Sequence, residues 1–219
     1  PANGEPYGGG PGSEHNFATG LLHYYYLTGD SDAREAVVGL ADWVIRMDDG
    51  ARNILGLVDS GPTGLATPGK PPLFHGVGRG AGNSINVLLD AWLLSQQRTY
   101  LVKAEDLIRR CIHPADEIAR LDLLDAEQHW SYTMFLSSVA RYLDIKAEYG
   151  ELDGVYAYAQ RSLLHYAAWM VRCERPYLDR AGDLEYPTEV WAVQEFRKAN
   201  VLRLASRHAD STLAGAMFS

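Results

Sequence analysis

Side chains able to carry protons or to hold a charged oxygen occur in four groups along the sequence. Histidine, tyrosine and glutamate exchange protons in general acid–base catalysis, and asparagine and arginine stabilise a carboxylate or a developing oxyanion. The groups therefore predict acid–base chemistry on a substrate with a polarised oxygen. Their members are Glu14, His15 and Asn16; Arg79 and Asn83; His129, Trp130 and Tyr132; and Tyr186, Glu189 and Trp191.

Other kinds of chemistry have no matching pattern. The spacing of histidine, aspartate and glutamate does not resemble a zinc or di-iron site. The glycine-rich tract 76–82 lacks the preceding strand and the GK[ST] ending of a phosphate-binding loop. Cys111 and Cys173 lie on separate predicted helices outside any CxxC motif, which favours plain buried thiols over a disulfide between them. We therefore expect no metal and no organic cofactor.

The sequence predicts that helices, and not strands, position these groups. Apolar residues recur at helical spacing, and strand-like alternation is absent. Residues 50–78 are rich in glycine and proline and predict a long loop. Each polar group falls at the start of an odd-numbered helix, where free backbone N–H groups and the helix dipole favour anions. The predicted helices are 14–28, 33–47, 79–96, 99–112, 130–148, 156–174 and 188–207, with an eighth beginning at 212.

The helices pair into hairpins, and the first hairpin repeats. A shift of 67 residues, from 16 to 83, superposes Asn16 on Asn83 and Tyr25 on Trp92. Hairpins cannot bury their apolar faces alone, so stacked pairs form an open solenoid or a closed ring. The repeat of 67 residues is longer than the roughly 34 to 47 residues of common helical solenoids. We therefore predict an all-α fold: an α/α-hairpin array that is part of an (α/α) toroid.

The turns within the hairpins carry a recognisable motif: LTGD at 27–30 followed by AREA at 33–36, and Ser95 followed by YLVKA at 100–104. This motif resembles the hairpin turn of (α/α)-toroid carbohydrate-active enzymes, which include polysaccharide lyases, glycoside hydrolases and sugar epimerases. The motif is a structural turn, so the resemblance implies the fold and a carbohydrate substrate without naming one reaction. By analogy it also implies a periplasmic or extracellular location.

On a glycan, the polar groups fit β-elimination from a uronic-acid polymer, which is the preferred hypothesis. That reaction needs a neutraliser for the uronate carboxylate, a base for the C5 proton and an acid for the leaving oxygen. Asn16 and Arg79 suit the first role, and His129 and Tyr132 suit the proton transfers. His15 is a further candidate for proton transfer.

Hydrolysis is the rival reaction, and it needs two carboxyl groups about 5 to 9.5 Å apart. Glu14 with Glu189 is the only cross-helix pair that the sequence offers for it. Epimerisation at the C5 atom of a uronate would use much the same groups as elimination.

The remaining members of the four groups predict substrate binding. Aromatic faces complement the apolar C–H face of a pyranose ring, which makes Trp130, Tyr186 and Trp191 candidate sugar-stacking residues. Glu14 and Asn83 complete the predicted substrate-binding set.

A structural interpretation stands beside each assignment. Glu14 follows Ser13 and suits a helix-dipole partner, and Asn16 and Asn83 suit a shared structural hydrogen bond. The histidines, Tyr132 and the other aromatic residues suit plain packing. A non-catalytic helical-repeat scaffold that binds a protein is therefore the alternative function.

Composition limits the choice of partner. With 219 residues, 47% hydrophobic and 22% charged, the chain is long enough for one large globular domain. Its net charge of −8 argues against nucleic acid and anionic membranes as partners. Residues 1–13 read as a glycine- and proline-rich linker or truncated end, and 14–219 as a toroid segment incomplete at both ends. We thus expect the rest of the chain to be missing.

Overall fold

The structure is a computed structural model that describes residues 12–48 and 76–209. In these ranges the chain is helical and contains no β-strand, which confirms the predicted all-α class. The chain divides into two compact units, Pro1–Cys111 and Ile112–Ser219. The described α-helices are α1 (Thr19–Thr28), α2 (Ser31–Asp48), α3 (Arg79–Ser95), α4 (Arg98–Cys111), α5 (Ala126–His129), α6 (Tyr132–Glu148), α7 (Gly154–Cys173) and α8 (Val190–Ser206), and 3-10 turns cover Ser13–His15, Ile118–Leu121 and Tyr177–Asp183.

Six of the seven predicted helices agree with the structure to within two residues at each end. The predicted start of the first helix at residue 14 is wrong, because α1 begins only at Thr19, after the separate 3-10 turn. The acidic stretch between α4 and α6 contains the short helix α5, which the sequence pattern missed. The Asp125 carboxylate caps α5 by accepting from Gln128 N at 3.4 Å. Most of the predicted loop 50–78 and the eighth helix lie outside the described residues.

In the first unit, α3 is the central helix. It packs against α1, α2, α4 and the turn Ser13–His15. Its side chains are buried almost continuously from Gly80 to Trp92, because apolar and small residues occupy every side of the helix. The neighbouring helices contribute buried residues at helical spacing, namely Leu22 from α1, Val37, Ala41 and Val44 from α2, and Leu101 and Leu107 from α4.

The repeat of 67 residues is visible in the two hairpin turns of this unit. Gly29 and Gln96 end their helices with left-handed backbone, at φ of 73° and 56°. Their backbone N–H groups donate to equivalent carbonyls at 2.7 Å. The hydroxyls of Thr28 and Ser95 also donate to equivalent carbonyls four residues back, both at 2.7 Å. The first two hairpins are thus structural repeats, whereas their closure into a toroid stays a prediction.

Gly29→Ala is expected to lower the free energy of unfolding by about 1 kcal/mol, because a Cβ atom disfavours the left-handed conformation. A steric clash with neighbouring atoms is not the cause, since a Cβ at Gly29 would meet nothing within 4 Å. Urea denaturation measures the change. Gly20→Ala, inside α1 and equally open, is the control and should stabilise the protein slightly. Equal effects of the two substitutions would contradict the conformational explanation.

In the second unit, α6 packs against α7 and α8, and α8 also contacts α7 and the turn Tyr177–Asp183. The helix α8 contributes little to the core and leaves Val190, Val193 and Phe196 exposed. The core residues are mainly Phe135, Leu136, Val139 and Leu143 of α6, Leu163, Tyr166, Ala167 and Met170 of α7, and Val201 and Ala205 of α8.

A fully buried lysine joins α6 to α7. The ammonium group of Lys146 donates to Glu151 at 2.8 Å and to Asp153 at 2.7 Å. The other carboxylate oxygen of Asp153 caps α7 by accepting from the backbone N–H groups of Val155 and Tyr156. Lys146 therefore has a structural role at the turn between the two helices.

Candidate functional site

The residues predicted from sequence fall into both units, and each set is described within its own unit. The predicted convergence of all of them at one site therefore stays a prediction. The first unit holds Glu14, His15, Asn16, Arg79 and Asn83, and the second holds His129, Trp130, Tyr132, Tyr186, Glu189 and Trp191.

In the first unit, three predicted residues form one contact cluster. Arg79 forms an ion pair with the carboxylate of Glu14, and its Nε donates to Glu14 Oε2 at 3.0 Å. The side chain of Asn83 donates to the backbone carbonyl of Glu14 at 2.9 Å. These bonds tie the turn Ser13–His15 to the start of α3, which gives the three residues a structural role, and their catalytic and substrate-binding roles stay predictions. His15 is exposed.

Asn16 differs from its repeat equivalent Asn83. It is 1% exposed, and neither polar atom of its side chain has a hydrogen-bond partner within the described ranges. The expectation that both asparagines make the same structural bond is therefore wrong for these ranges. A buried polar group without a partner costs about 1 to 3 kcal/mol.

In the second unit, the three predicted aromatic residues line one cavity of about 320 Å³, which we call the aromatic pocket. Trp191 Nε1 donates to the backbone carbonyl of Tyr186 at 3.1 Å, which fixes the orientation of the indole. The guanidinium of Arg197 lies 5.5 Å from the centroid of a Trp130 ring. The lining residues are Trp130, Tyr186 and Trp191 with Glu127, Thr188, Val190 and Gln194.

Five carboxyl groups and two guanidinium groups line a second cavity of about 480 Å³, which we call the acidic pocket. It shares Glu127 with the aromatic pocket. The ring of Tyr177, in the acidic pocket, lies 5.2 Å from the ring of Trp191. The two pockets therefore adjoin, and together we call them the groove. The charged residues of the acidic pocket are Asp122, Asp125, Glu127, Glu174 and Asp183 with Arg175 and Arg180.

A buried polar network lies behind the acidic pocket. Tyr132 donates its hydroxyl to Glu174 Oε1, and the Lys198 ammonium donates to Glu174 Oε2 at 2.7 Å. Glu195 accepts from the backbone N–H of Tyr177 at 2.6 Å and lies 3.4 Å from the Lys198 ammonium. Both oxygens of Glu174 are thus held by donors from α6 and α8.

Two tyrosines of this network stay protonated at neutral pH. Burial raises the pKa of Tyr132 far above its ordinary value, and the nearby carboxylate of Glu174 raises it further. Burial also raises the pKa of Tyr177, with added contributions from Glu174 and Glu195. Tyr132 is fully buried, so its hydroxyl serves Glu174 and does not face the groove. Its catalytic role stays a prediction.

Two other predicted catalytic residues lie outside the lining of both pockets. His129 ends α5 and is half-buried, and its Nδ1 atom has no hydrogen-bond partner within the described ranges. Glu189 is exposed immediately before α8. Their catalytic roles also stay predictions.

Several residues of the groove and its network were missed by the sequence reasoning. Glu127 lies between the predicted helices 99–112 and 130–148, and Glu174 is the last residue of the predicted helix 156–174. Nothing in the sequence marks Lys198 as a site residue, because lysine in a helix is normally exposed. The missed residues are Asp122, Asp125, Glu127, Glu174, Arg175, Tyr177, Arg180, Asp183, Gln194, Glu195 and Lys198.

Comparison with family models, with curated proteins and with solved structures finds no match to this chain. In the part of the chain that the structure describes, no three histidine, cysteine or acidic side chains are grouped to hold a metal ion. Within the same part, no helix has the length and apolar character to cross a membrane. The chemistry of the groove is therefore the guide to function.

Proposed function

We propose that this protein is a carbohydrate-active enzyme that binds a glycan along the groove of its second unit and hydrolyses it. The observation that carries the proposal is that three aromatic residues line a pocket that shares a glutamate with a pocket lined by five acidic residues. Aromatic faces bind the C–H faces of sugars, and carboxyl groups hydrolyse glycosidic bonds.

The shape of the groove supports binding of more than one sugar unit. The pocket volumes of about 320 and 480 Å³ lie within the range of roughly 300 to 1,000 Å³ that is typical of small-molecule sites. A sugar stacked on Trp130 and Trp191 would have its neighbour in the acidic pocket. The linkage between the two sugars would then lie beside Glu127.

This placement gives roles to two carboxyl groups. Glu127 is the proposed general acid, because it lines both pockets and stands beside the linkage. Glu174 accepts hydrogen bonds on both oxygens from a hydroxyl and an ammonium group, an arrangement that suits an acceptor more than a proton donor. Glu174 is therefore the proposed carboxylate, acting as a base or as a nucleophile. This pair replaces Glu14 and Glu189.

The charge of the acidic pocket favours a neutral glycan over a polyuronate. Five acidic residues and two arginines line it, so the excess of negative charge disfavours an anionic polymer. Elimination from a uronic-acid glycan is the second candidate, and the observation in its favour is the presence of Arg175 and Arg180 in the same pocket. These two residues could neutralise a uronate carboxylate.

We also propose that the hairpins belong to an (α/α) toroid. The repeated turns at Gly29 and Gln96 support this architecture, because each uses the same capping bonds.

The experiment is a panel of neutral and uronic-acid oligosaccharides incubated with the full chain. We expect new reducing ends from a neutral glycan, without the ultraviolet absorbance of an unsaturated uronate. Reducing ends accompanied by that absorbance would replace hydrolysis by elimination. If no glycan is bound or turned over, the enzyme proposal is wrong and the protein-binding scaffold becomes the better hypothesis.

A further inference from the structure

Lys198 is buried in α8, with 5% of its surface exposed. Lysine is strongly hydrated, and burying its charge costs several kcal/mol unless partners compensate. The partners that offset the cost of burying the ammonium therefore indicate its structural role.

The contacts of Lys198 converge on one short segment of the chain. Its ammonium donates to the Glu174 carboxylate at 2.7 Å and to the backbone carbonyl of Arg175 at 2.8 Å. The same atom lies 3.4 Å from the centroid of the Tyr177 ring, within the distance of a cation–π contact. Glu195 of the same helix is 3.4 Å away. Glu174, Arg175 and Tyr177 all line the acidic pocket.

We propose that Lys198 is a positioning residue that holds the wall of the acidic pocket, residues 174–177, and keeps the Glu174 carboxylate directed for catalysis. The catalytic part of this inference rests on the proposed function, whereas the control of Glu174 by Lys198 does not. Lys198 does not line the pocket itself, so it acts through Glu174.

The second buried lysine of this unit provides a matched comparison. Lys146 is also fully buried and also binds two carboxylates, those of Glu151 and Asp153. Neither of these partners lines the groove, so the two ion pairs of Lys146 serve the turn between α6 and α7. Replacing either lysine removes a buried cation, but only Lys198 has partners in the acidic pocket.

The surroundings of Glu174 determine what the loss of Lys198 would do. The groups that face it are Tyr132 from α6, Lys198 and Glu195 from α8, and Tyr177 from the following turn. Without the ammonium, Oε2 of Glu174 loses the donor that Lys198 provides, and the Tyr132 hydroxyl still binds Oε1. The carboxylate is then held at one oxygen instead of two, so its direction in the acidic pocket is less well defined.

The first test compares Lys198→Met with Lys146→Met on the glycan that the wild type hydrolyses. Lys198→Met is expected to lower kcat at least about tenfold with little change in KM, because the carboxylate is no longer held in place. Lys146→Met should lower the urea midpoint and leave both kinetic readouts unchanged. Equal kinetics of the two variants would overturn the proposal.

The second test needs no turnover. It compares hydrogen exchange of the backbone amides of residues 174–177 in Lys198→Met and Lys146→Met, each relative to the wild type. We expect faster exchange at Tyr177 in Lys198→Met alone, because the Tyr177 N–H donates to Glu195, which lies beside the lysine. Equal exchange in the two variants would contradict the proposal. If no glycan is hydrolysed, the proposed function fails, and this comparison still tests the role of Lys198.

Discussion

Glu127→Gln is expected to lower kcat on the hydrolysed glycan by about 100-fold or more, because the amide cannot supply a proton to the leaving oxygen. The substitution keeps the size of the side chain. The carboxylate accepts from the backbone N–H of Glu185 at 2.8 Å, and the glutamine carbonyl can still accept this bond. KM should therefore change little, since both pockets keep their shape. Initial rates of reducing-end release across a range of pH measure the effect.

Glu148→Gln is the matched control for this prediction. Glu148 is exposed at the end of α6 and lines neither pocket, so the same exchange there should leave kcat unchanged. A Glu127→Gln protein with kcat close to that of the wild type would exclude Glu127 as the acid. Asp125 and Asp183, which also line the acidic pocket, would then be the carboxyl groups to replace.

The helices could be predicted from the sequence because their signal is local. Val37, Ala41 and Val44 recur at helical spacing, and all three are buried on one face of α2. The error at residue 14 has a local cause as well. The stretch after Ser13 forms a 3-10 turn, and α1 begins four residues after the end of that turn, without a side-chain cap. The spacing of apolar residues along the sequence does not reveal such a gap between a turn and a helix.

The candidate site could be predicted only in its aromatic part. Trp130, Tyr186 and Trp191 are conspicuous residues, and the structure brings them into one pocket. Glu127 and Glu174 were missed because their positions depend on turns: a single-turn helix carries Glu127, and Glu174 immediately follows α7. The pairing of these glutamates with aromatic residues from distant parts of the sequence is a tertiary property.

The burial of Lys198 could not be predicted from the sequence either. The stretch around it, from Glu195 to Asn200, has the composition of a solvated helix face. Its burial is set by the segment 174–177, which folds over α8 and provides a carboxylate and an aromatic ring for the ammonium. No periodic pattern in α8 encodes that contact.

Tyr186→Ala and Trp191→Ala are each expected to weaken glycan binding at least about tenfold, which corresponds to about 1.4 kcal/mol. Each substitution removes one aromatic face from the pocket that would hold the sugar ring. Tyr186 is 68% exposed, so its truncation should not change the free energy of unfolding. Loss of binding in that variant would therefore be a loss of contact with the ligand. Isothermal titration calorimetry with the hydrolysed oligosaccharide measures the affinity.

Phe196→Ala is the matched control, because Phe196 is an exposed aromatic residue on α8 that lines neither pocket. It should bind the glycan as the wild type does. Weakened binding in all three variants would indicate a general effect on the segment 186–196 and would remove the support for the aromatic pocket. The two functions of the groove would be separated by two results. Tyr186→Ala and Trp191→Ala would bind the glycan more weakly, whereas Glu127→Gln would have a lowered kcat with unchanged affinity. The aromatic pocket would then hold the sugar, and the shared glutamate would transfer the proton.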